Sequence, residues 1–391
     1  MQNFPFSRPM YIMAKPAGAQ CNLNCRYCYY KGKQQMYGDG RAMVMTDDVL
    51  EAFVKGYIES QTMPAVLFTW HGGEPMLRPL QFYEKAVVLQ KKYAEGRIID
   101  NCIQTNGMLI TDEWCRFLSD NGWLVGVSID GPQEYHDKYR KARGGKPTFC
   151  DVMQGIEKLE KYGVQWNAMA VVNDYNGNHP TEFYRFFRQI GCRYIQFAPI
   201  VEPGLDCNVQ PRQWGDFLCA VFDEWIKKDV GEYYVQIFDA MLARWVGEEA
   251  GVCIFNETCG QVGVMEYNGD VYSCDHFVFP KYKLGNMREK TFVEMMYSER
   301  QRSFGAEKHN GLPMKCRKCR FMFACNGECP KNRILTDGEG EKNLNYLCEG
   351  YYHFYVHIAP YMDYMKQEYL AGRPPANVMN VLNTRLPCRR A

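Results

Sequence analysis

The amino-acid sequence predicts an α/β fold: a partial (β/α)6 barrel followed by a small Cys-rich α+β domain with a β-hairpin. Short β-rich runs alternate with helical patterns through the first half of the chain, which favours a parallel sheet. Six β/α units are too few to close an eight-stranded barrel, so we expect an open barrel with its active site at the carboxyl ends of the strands. The alternation stops near Pro211, and cysteines become frequent from Cys253 onwards. Periodicity alone leaves a doubly wound open sheet as an alternative.

Each predicted strand is a short apolar run followed by a helical pattern. The strands are expected at Tyr11–Lys15, Ala65–Trp70, Ile98–Gln104, Trp123–Ile129, Val164–Val172 and Arg193–Ala198. The first helix starts at Thr46, a good N-cap residue, and Asp47 and Asp48 suit the positive end of its dipole. Later helices of the barrel are expected at Leu80–Tyr93, Asp112–Asn121, Phe149–Tyr162 and Pro180–Ile190.

The second half of the chain follows a different pattern. Pro211–Lys228 is predicted to be an amphipathic helix whose aromatic stripe serves packing, and Val235–Val246 a second helix. Val262–Glu266 and Val271–Ser273 flank an Asn-Gly pair, which is a strong hairpin signal.

Composition excludes several classes of function. The chain has 46 basic and 45 acidic residues, a net charge of +1, which gives no footprint for nucleic acid or an anionic membrane. No apolar run approaches the roughly 20 residues needed to cross a bilayer, and the first ten residues do not resemble a secretory signal. The 18 cysteines therefore indicate metal binding or catalysis in an oxygen-sensitive, cytoplasmic protein.

Three of these thiols lie on one short loop after the first predicted strand. Cys21, Cys25 and Cys28 have the spacing C-x3-C-x2-C. A [4Fe–4S] cube needs four ligands, so three cysteines leave one iron open. A structural zinc ion is the alternative, but it would need a fourth ligand, and the next His and Cys are His71 and Cys102.

The loop resembles the signature of the radical S-adenosylmethionine enzymes, in which the open iron binds that cofactor and a 5'-deoxyadenosyl radical results. The resemblance implies the same (β/α)6 architecture over about residues 8–200. The stretch from His71 to Pro75 looks like the GGEP motif of this superfamily, although Gly-Gly before Pro is also an ordinary turn. A hydroxyl suits the cofactor's ribose and a guanidinium its carboxylate. The resemblance assigns cofactor contacts to Tyr27, Gly72, Gly73, Glu74, Ser128, Arg140 and Val201.

A second set of cysteines begins at Cys253. Counting from Cys259, the pattern is C-x9-G-x4-C, a gap, C-x2-C-x5-C-x3-C, a gap, and C. It resembles the SPASM extension, which holds two auxiliary [4Fe–4S] clusters in enzymes that modify peptides. The resemblance implies one cluster on Cys253, Cys259, Cys274 and Cys329, and another on Cys316, Cys319, Cys325 and Cys348. Two structural zinc sites are the alternative, and the other seven cysteines are expected to be buried structural thiols.

Along nearly its whole length the chain resembles the anaerobic sulfatase-maturating enzymes. The shared features include Val-Ser-Ile-Asp-Gly ending at Gly131, Tyr-Ile-Gln-Phe at 194–197, and Cys274 followed at once by Asp275. These enzymes oxidise a Cys or Ser in a Cys/Ser-x-Pro/Ala-x-Arg segment to formylglycine. The chemistry needs a base, and Asp275 is the candidate because ligation of Cys274 would fix the backbone beside it and a dry cleft can raise the pKa of a carboxylate. The alternative is a solvated hairpin residue or a hydrogen-bond acceptor for a neighbouring group. The two auxiliary clusters provide the electron route. The resemblance also implies substrate contacts from Tyr30 and His71.

These inferences predict a barrel domain at 8–235, an auxiliary-cluster domain with a C-terminal helix at 236–370, and a tail at 371–391. The expected cofactors are three [4Fe–4S] clusters and S-adenosylmethionine. The expected partners are an unfolded or nascent sulfatase polypeptide and an electron donor such as flavodoxin or ferredoxin. Two alternatives stay open: an enzyme forming thioether, carbon–carbon or epimerised peptide products, and a non-catalytic Fe–S electron carrier.

Overall fold

The computed structural model describes residues 10–33 and 43–383. These residues form two compact units. The first unit comprises residues 10–33, 43–128, 137–166 and 259–307, and the second comprises 129–136, 167–258 and 308–383. The predicted domain limits divide the chain into contiguous segments, partly outside the described residues, and they stay a prediction.

Ten strands are found among the described residues. They are β1 (Tyr11–Lys15), β2 (Ala65–Trp70), β3 (Ile98–Thr105), β4 (Leu124–Ser128), β5 (Trp166–Val172), β6 (Tyr194–Pro199), β7 (Tyr234–Val235), β8 (Val262–Glu266), β9 (Asp270–Tyr272) and β10 (Lys283–Asn286). The six strands of the predicted barrel and the hairpin are therefore all present, with ends that agree to within two residues.

Fourteen α-helices are found in the same part of the chain. They are α1 (Asp47–Glu59), α2 (Leu80–Tyr93), α3 (Asp112–Asp120), α4 (Gln133–Tyr139), α5 (Phe149–Lys161), α6 (Pro180–Gln189), α7 (Pro211–Lys228), α8 (Gln236–Val246), α9 (Phe292–Met296), α10 (Glu299–Asn310), α11 (Met314–Arg317), α12 (Met322–Cys325), α13 (Cys348–Leu370) and α14 (Val378–Asn383). None of them combines the length and apolar character that a bilayer-spanning segment needs.

The first unit is built on a mixed sheet with strand order β10-β9-β8-β1-β2-β3-β4. From β8 to β4 the strands are parallel, and β9 and β10 are antiparallel additions at the β8 edge. The hairpin of the Cys-rich region thus extends the barrel sheet, because β8 pairs with β1 in a register that places Lys15 opposite Glu266. This long-range pairing brings the end of β8 beside the loop that carries the first three thiols.

Aromatic side chains fill the core of the first unit. Phe68 and Trp70 of β2 are fully buried and stack with their ring centroids 6.1 Å apart. Phe53 and Tyr57 of α1 pack against this pair edge to face. Burial of large aromatic rings is the main source of core stability in such a layer, so β2 is firmly held and positions the loop that follows it.

The second unit contains the parallel strands β5, β6 and β7. Its longest helix, α13, packs on α7, and the two meet through glycines. A Cβ atom on Gly215 would lie 2.6 Å from the carbonyl oxygen of Gly350. The close approach explains why α7 and α13 need glycine there, and it fixes the start of α13, where Cys348 lies. The prediction of an α/β fold with a parallel sheet is confirmed.

Candidate functional site

The loop with the first three thiols follows β1 and is held by backbone hydrogen bonds. The Asn24 amide donates to the carbonyl of Lys141 (2.8 Å), and the Arg26 amide donates to that of Tyr139 (3.0 Å). In the other direction, the Arg143 amide donates to the carbonyl of Asn22 (3.1 Å). These bonds fix the shape of the loop through the protein's own backbone.

The three thiols influence one another. Burial raises the pKa of Cys21 to about 11, and the Glu74 carboxylate and the other two thiols add to this increase. Burial also raises the pKa of Cys28, against the charge of Arg140. Thiolates in such a group need a bound cation to be stable, since metal binding is what drives deprotonation. Three thiols on one fixed loop therefore fit an iron–sulfur cluster with one open iron.

The Gly-Gly turn after β2 packs directly against the chain that leads into this loop. The amides of Gly73 and Glu74 donate to the carbonyls of Gly18 (2.8 Å) and Gln20 (2.7 Å). A Cβ atom on Gly73 would lie 2.1 Å from the Gln20 carbonyl oxygen, and Gly72 has a φ of +127°. Both positions thus require glycine for reasons of the protein's own backbone.

Glu74 is fully buried and its carboxylate accepts three hydrogen bonds from the protein. Its Oε1 accepts from the Met76 amide (2.9 Å) and the Thr105 hydroxyl (2.8 Å), and its Oε2 accepts from the Asn106 amide (2.8 Å). Burial raises the pKa of Glu74 to about 7 despite these bonds. Glu74 therefore ties the end of β2 to the end of β3. Among the described residues, no hydrogen bond uses the carbonyl oxygens of Gly72 and Gly73, which are left to face a ligand.

Three predicted cofactor contacts lie in the first unit with the thiol loop. Arg140 donates from Nη1 to the hydroxyl of Tyr27 (3.0 Å), and both side chains are buried. Ser128 lies at the end of β4, where its hydroxyl accepts from Nε2 of Gln104 (3.0 Å). The structure thus brings the cation and the aromatic ring together.

Val201 belongs to the second unit, directly after β6. Its side chain is buried, and its carbonyl accepts from Nζ of Lys331 (2.9 Å). Lys331 also pairs with Glu202 (2.5 Å). The contact with adenine expected of Val201 stays a prediction.

Asp275 is surrounded by four groups, of which the sequence singled out only His71. Lys15 at the end of β1 is fully buried and donates to Oδ1 of Asp275, and the hydroxyl of Tyr29 donates to Oδ2. His71 and His276 lie close enough to influence the same carboxylate. We call Lys15, Tyr29, His71, Asp275 and His276 the Asp275 cluster.

The expectation of a raised pKa for Asp275 was wrong. Burial does favour the neutral acid, but the positive charge of Lys15 acts against it, together with the two histidines and the Lys15 hydrogen bond. The net result is a pKa below the usual range of an aspartate. Burial lowers the pKa of His71 to about 4, and its Nδ1 accepts from the Gly72 amide (2.7 Å). At neutral pH the cluster therefore contains an ionised Asp275 and a neutral His71.

Tyr30 is a core residue of the first unit, and its ring contacts Lys15 of this cluster. It is 3% exposed, packs among Val264, Tyr272 and Val278, and donates its hydroxyl to Glu266. The ammonium of Lys15 lies 3.3 Å from the centroid of the Tyr30 ring. The substrate contact expected of Tyr30 stays a prediction, and Tyr29 is the tyrosine bonded to Asp275.

Glu266 is a further buried carboxyl group that sequence reasoning missed. It is 1% exposed, and burial raises its pKa to about 7 although Lys15 acts in the opposite direction. Two signals were present in the sequence: a lysine ends the apolar run of β1, and a glutamate ends that of β8. A charged residue that closes a buried strand is unusual enough to mark both positions.

Of the cysteines assigned to the first auxiliary cluster, Cys259 and Cys274 belong to the first unit, and Cys253 and Cys329 belong to the second. In the first unit, Nε2 of Gln301 donates to the carbonyls of Gly260 (2.9 Å) and Ser273 (3.0 Å), the neighbours of Cys259 and Cys274. In the second unit, Nζ of Lys308 donates to the carbonyl of Cys253 (2.6 Å), and Cys329 is buried. The backbone at or next to Cys253, Cys259 and Cys274 is thus held by buried side chains.

The cysteines assigned to the second auxiliary cluster line one cavity of about 600 Å³ in the second unit, which we call the four-thiol cavity. They are Cys316, Cys319, Cys325 and Cys348. Burial raises the pKa of Cys316 to about 11 and that of Cys325 to about 12, and neighbouring thiols contribute to both shifts. Within the described residues, no three His, Cys, Asp or Glu side chains are grouped tightly enough to hold a single metal ion.

Comparison with known proteins gives consistent results. A sequence model of the Radical SAM superfamily matches residues 16–187, and one of an iron-sulfur cluster-binding domain, SPASM, matches residues 258–320. The chain is 59% identical over 398 residues to the Serine-type anaerobic sulfatase-maturating enzyme of Bacteroides thetaiotaomicron, a match that covers 97% of this chain and 96% of that protein. This chain belongs to the anaerobic sulfatase-maturating enzymes.

Two further relatives show lower identity. The Cysteine-type enzyme of Clostridium perfringens is 32% identical over 361 residues, 90% of this chain and 97% of that protein. The solved structure of native anSMEcpe with bound AdoMet has a TM-score of 0.85 at 31% identity and covers 92% of this chain and 100% of that chain. The same protein with AdoMet and the Cp18Cys peptide covers 93% and 100%, also at 0.85 and 31%. The predicted recognition as a radical, SPASM-bearing enzyme is confirmed.

Proposed function

We propose that this protein oxidises a serine of an unfolded sulfatase chain to formylglycine without oxygen, in a Cys/Ser-x-Pro/Ala-x-Arg segment, and that it also accepts cysteine there. The observation that carries this proposal is the 59% identity, over 97% of the chain, to an enzyme named as serine-type. The cysteine-type relatives are 32% and 33% identical. Relatives solved with bound peptides support a peptide as the substrate.

The cofactors in this proposal are S-adenosylmethionine and three [4Fe–4S] clusters. The three thiols of the first loop hold one cluster, and the two sets of four cysteines described above hold the others. When bound, the first cluster and S-adenosylmethionine supply the radical that removes a hydrogen atom from the target Cβ. A ferredoxin or flavodoxin is the proposed electron donor, and a location in the cytoplasm stays a prediction.

The residues of the first unit suggest how the cofactor is held. The carbonyl oxygens of Gly72 and Gly73 and the remaining lone pair on Oε2 of Glu74 accept hydrogen bonds from its ammonium group. The Arg140 guanidinium pairs with its carboxylate, and the Ser128 hydroxyl bonds its ribose. Tyr27 and Val201 provide the apolar surfaces for adenine.

Asp275 accepts the proton of the target hydroxyl or thiol in this scheme. Its Oδ1 stays bonded to Lys15, which keeps the carboxylate ionised and fixed in orientation. The substrate hydroxyl replaces the Tyr29 hydroxyl at Oδ2, because that bond is made by a side chain that is only partly buried. His71, held neutral by burial, lines the same place without adding charge.

An anaerobic assay with two peptides tests the proposal. Reconstituted protein is incubated with S-adenosylmethionine, a chemical reductant and either a Ser-x-Pro-x-Arg or a Cys-x-Pro-x-Arg peptide, and the products are identified by mass spectrometry. We expect formylglycine from both peptides, faster from serine. A peptide with alanine at the target position is the control. Cofactor cleavage with no aldehyde in either peptide would favour another peptide modification, and no cleavage at all would favour an electron carrier.

A further inference from the structure

A dense set of positive charges surrounds the four-thiol cavity. The segment 315–320 reads Lys-Cys-Arg-Lys-Cys-Arg, so both Cys316 and Cys319 have a basic residue on each side. All four basic side chains in it are exposed. Lys315, Lys318 and Arg320 line the cavity. The whole chain has a net charge of only +1, so four cations within six positions are a local feature that needs an explanation.

These cations are not neutralised by carboxylates. Arg317 donates to the neutral carbonyls of Leu312 (3.0 Å) and Asn310 (2.8 Å). Arg320 lies over the rings of Phe321 (4.6 Å) and Tyr352 (5.7 Å). Across residues 10–33 and 43–383, no ion pair includes any of the four. The electrostatic field of the four cations therefore extends into solvent. Glu349 is the acidic side chain in the cavity lining.

Exposed apolar side chains lie in the same segments. Met314, Phe323 and Tyr352 are 39%, 43% and 46% exposed. Electron-transfer partners form small, transient interfaces, in which opposite charges steer the encounter and a few apolar groups form the contact. Basic residues around an apolar patch, at a cavity lined by four thiols, match this composition.

We propose that this surface, formed by Lys315, Arg317, Lys318, Arg320 and Tyr352, docks a small acidic electron-carrier protein of the ferredoxin or flavodoxin class. The inference rests on the proposed function, because it takes the four thiols as ligands of a one-electron cluster. The target residue loses a hydrogen atom, a proton and one further electron on oxidation. The docked carrier, in its oxidised form, takes up that single electron and becomes reduced. A serine target is then an aldehyde, and a cysteine target is a thioaldehyde that water hydrolyses with release of hydrogen sulfide.

Binding of an acidic ferredoxin to the anaerobic holoenzyme tests the docking surface without relying on turnover. We expect the dissociation constant of the unaltered protein to rise steeply with ionic strength, because exposed charges are screened. The double substitution Lys318→Glu and Arg320→Glu should weaken binding by about tenfold or more. The matched control is Lys227→Glu with Lys228→Glu, which changes the net charge equally at the end of α7 and should change the affinity less than about twofold.

Two further measurements make the outcome decisive. Iron content and the visible spectrum establish that each variant holds its clusters. Lys318→Arg, which keeps the positive charge, should bind as tightly as the unaltered protein, whereas Lys318→Glu should bind more weakly. Binding that ignores salt, or equal loss in both double variants, overturns the proposal. Formylglycine formed with a chemical reductant but no salt-dependent ferredoxin binding refutes the docking surface alone. Binding retained without formylglycine refutes the proposed function and leaves the docking surface standing.

Discussion

The loop of three thiols and the four-thiol cavity differ in the way the chain supplies their cysteines. Cys21, Cys25 and Cys28 come from a single eight-residue stretch, and its shape is fixed by backbone hydrogen bonds to residues 139–143. The four-thiol cavity takes ligands from α11, α12 and α13 and from the turn between the first two. In the proposed function, the first arrangement leaves an iron coordination position open and the second closes it.

The residues that surround the two sites also differ, in burial and in charge. Buried polar side chains near the first loop, such as Glu74 after β2 and Arg140 after α4, point to the binding of a small charged ligand. The four-thiol cavity has exposed lysines and arginines and aromatic rings, which suit a macromolecular partner. The number of thiols and the character of their neighbours therefore indicate the same division: chemistry at one site, electron exchange at the other.

The largest expected effect is that of Cys28→Ala. Loss of one of three ligands should prevent the first cluster from forming, so cleavage of S-adenosylmethionine should fall by about 1,000-fold or more. The measurement is anaerobic 5'-deoxyadenosine formation by chromatography. Cys150→Ala is the control and should be unaffected, because this thiol lies outside all three ligand sets. The expectation that Cys150 is buried was wrong, since the structure exposes it. Normal cleavage of S-adenosylmethionine by Cys28→Ala would show that the three-thiol loop does not hold the cluster that cleaves it.

Asp275→Asn should separate radical formation from product formation. The amide keeps the shape of the side chain but cannot accept a proton, so formylglycine yield should fall by about 100-fold while the cofactor is still cleaved. Product by mass spectrometry and 5'-deoxyadenosine are measured in the same sample. Asp100→Asn, at an exposed position near the start of β3, serves as the control. Full formylglycine yield from Asp275→Asn would exclude this residue as the base.

Gly73→Ala should damage the first site through packing. The new Cβ would lie 2.1 Å from the Gln20 carbonyl oxygen, so we expect a loss of about 2 kcal/mol in the free energy of unfolding. Chemical denaturation measures it, with iron content as a second readout. Gly338→Ala is the matched control, since nothing lies within 4 Å of its added Cβ. Equal stability of the two variants would show that the turn yields easily.

The smallest effect is expected at the four-thiol cavity. Cys325→Ala should leave 5'-deoxyadenosine formation intact and reduce formylglycine yield about tenfold, because the electron released by the substrate has lost its route. The ratio of the two products, measured over several turnovers, is the relevant quantity. If Cys325→Ala stops cofactor cleavage as completely as Cys28→Ala, the two sites do not differ in the way proposed.

Much of this structure was predictable from local sequence patterns. The strands Tyr11–Lys15 and Ala65–Trp70 were placed correctly, because each is an apolar run bounded by turn or polar residues. The short helices α9, α11 and α12 were missed, since a helix of four or five residues has too few turns to show a periodicity.

The environment of Asp275 was not predictable in this way. It depends on the pairing of β1 with β8, two strands separated by almost 250 residues, and periodicity does not specify which strands pair. Lys15 and Glu266 became neighbours only through that pairing. The depressed pKa of Asp275 follows from Lys15, so an argument based on burial alone gave the wrong direction.

The different origins of the ligands also bear on how the enzyme is assembled in a cell. The first loop needs only eight residues and takes its shape from backbone bonds to residues 139–143, so a cluster delivered late finds its ligands in place. The four-thiol cavity must gather ligands spread from Cys316 to Cys348, and closing a longer loop costs more conformational entropy. Iron limitation during growth should therefore destabilise helices α11, α12 and α13 first, and limited proteolysis should cleave the chain there first.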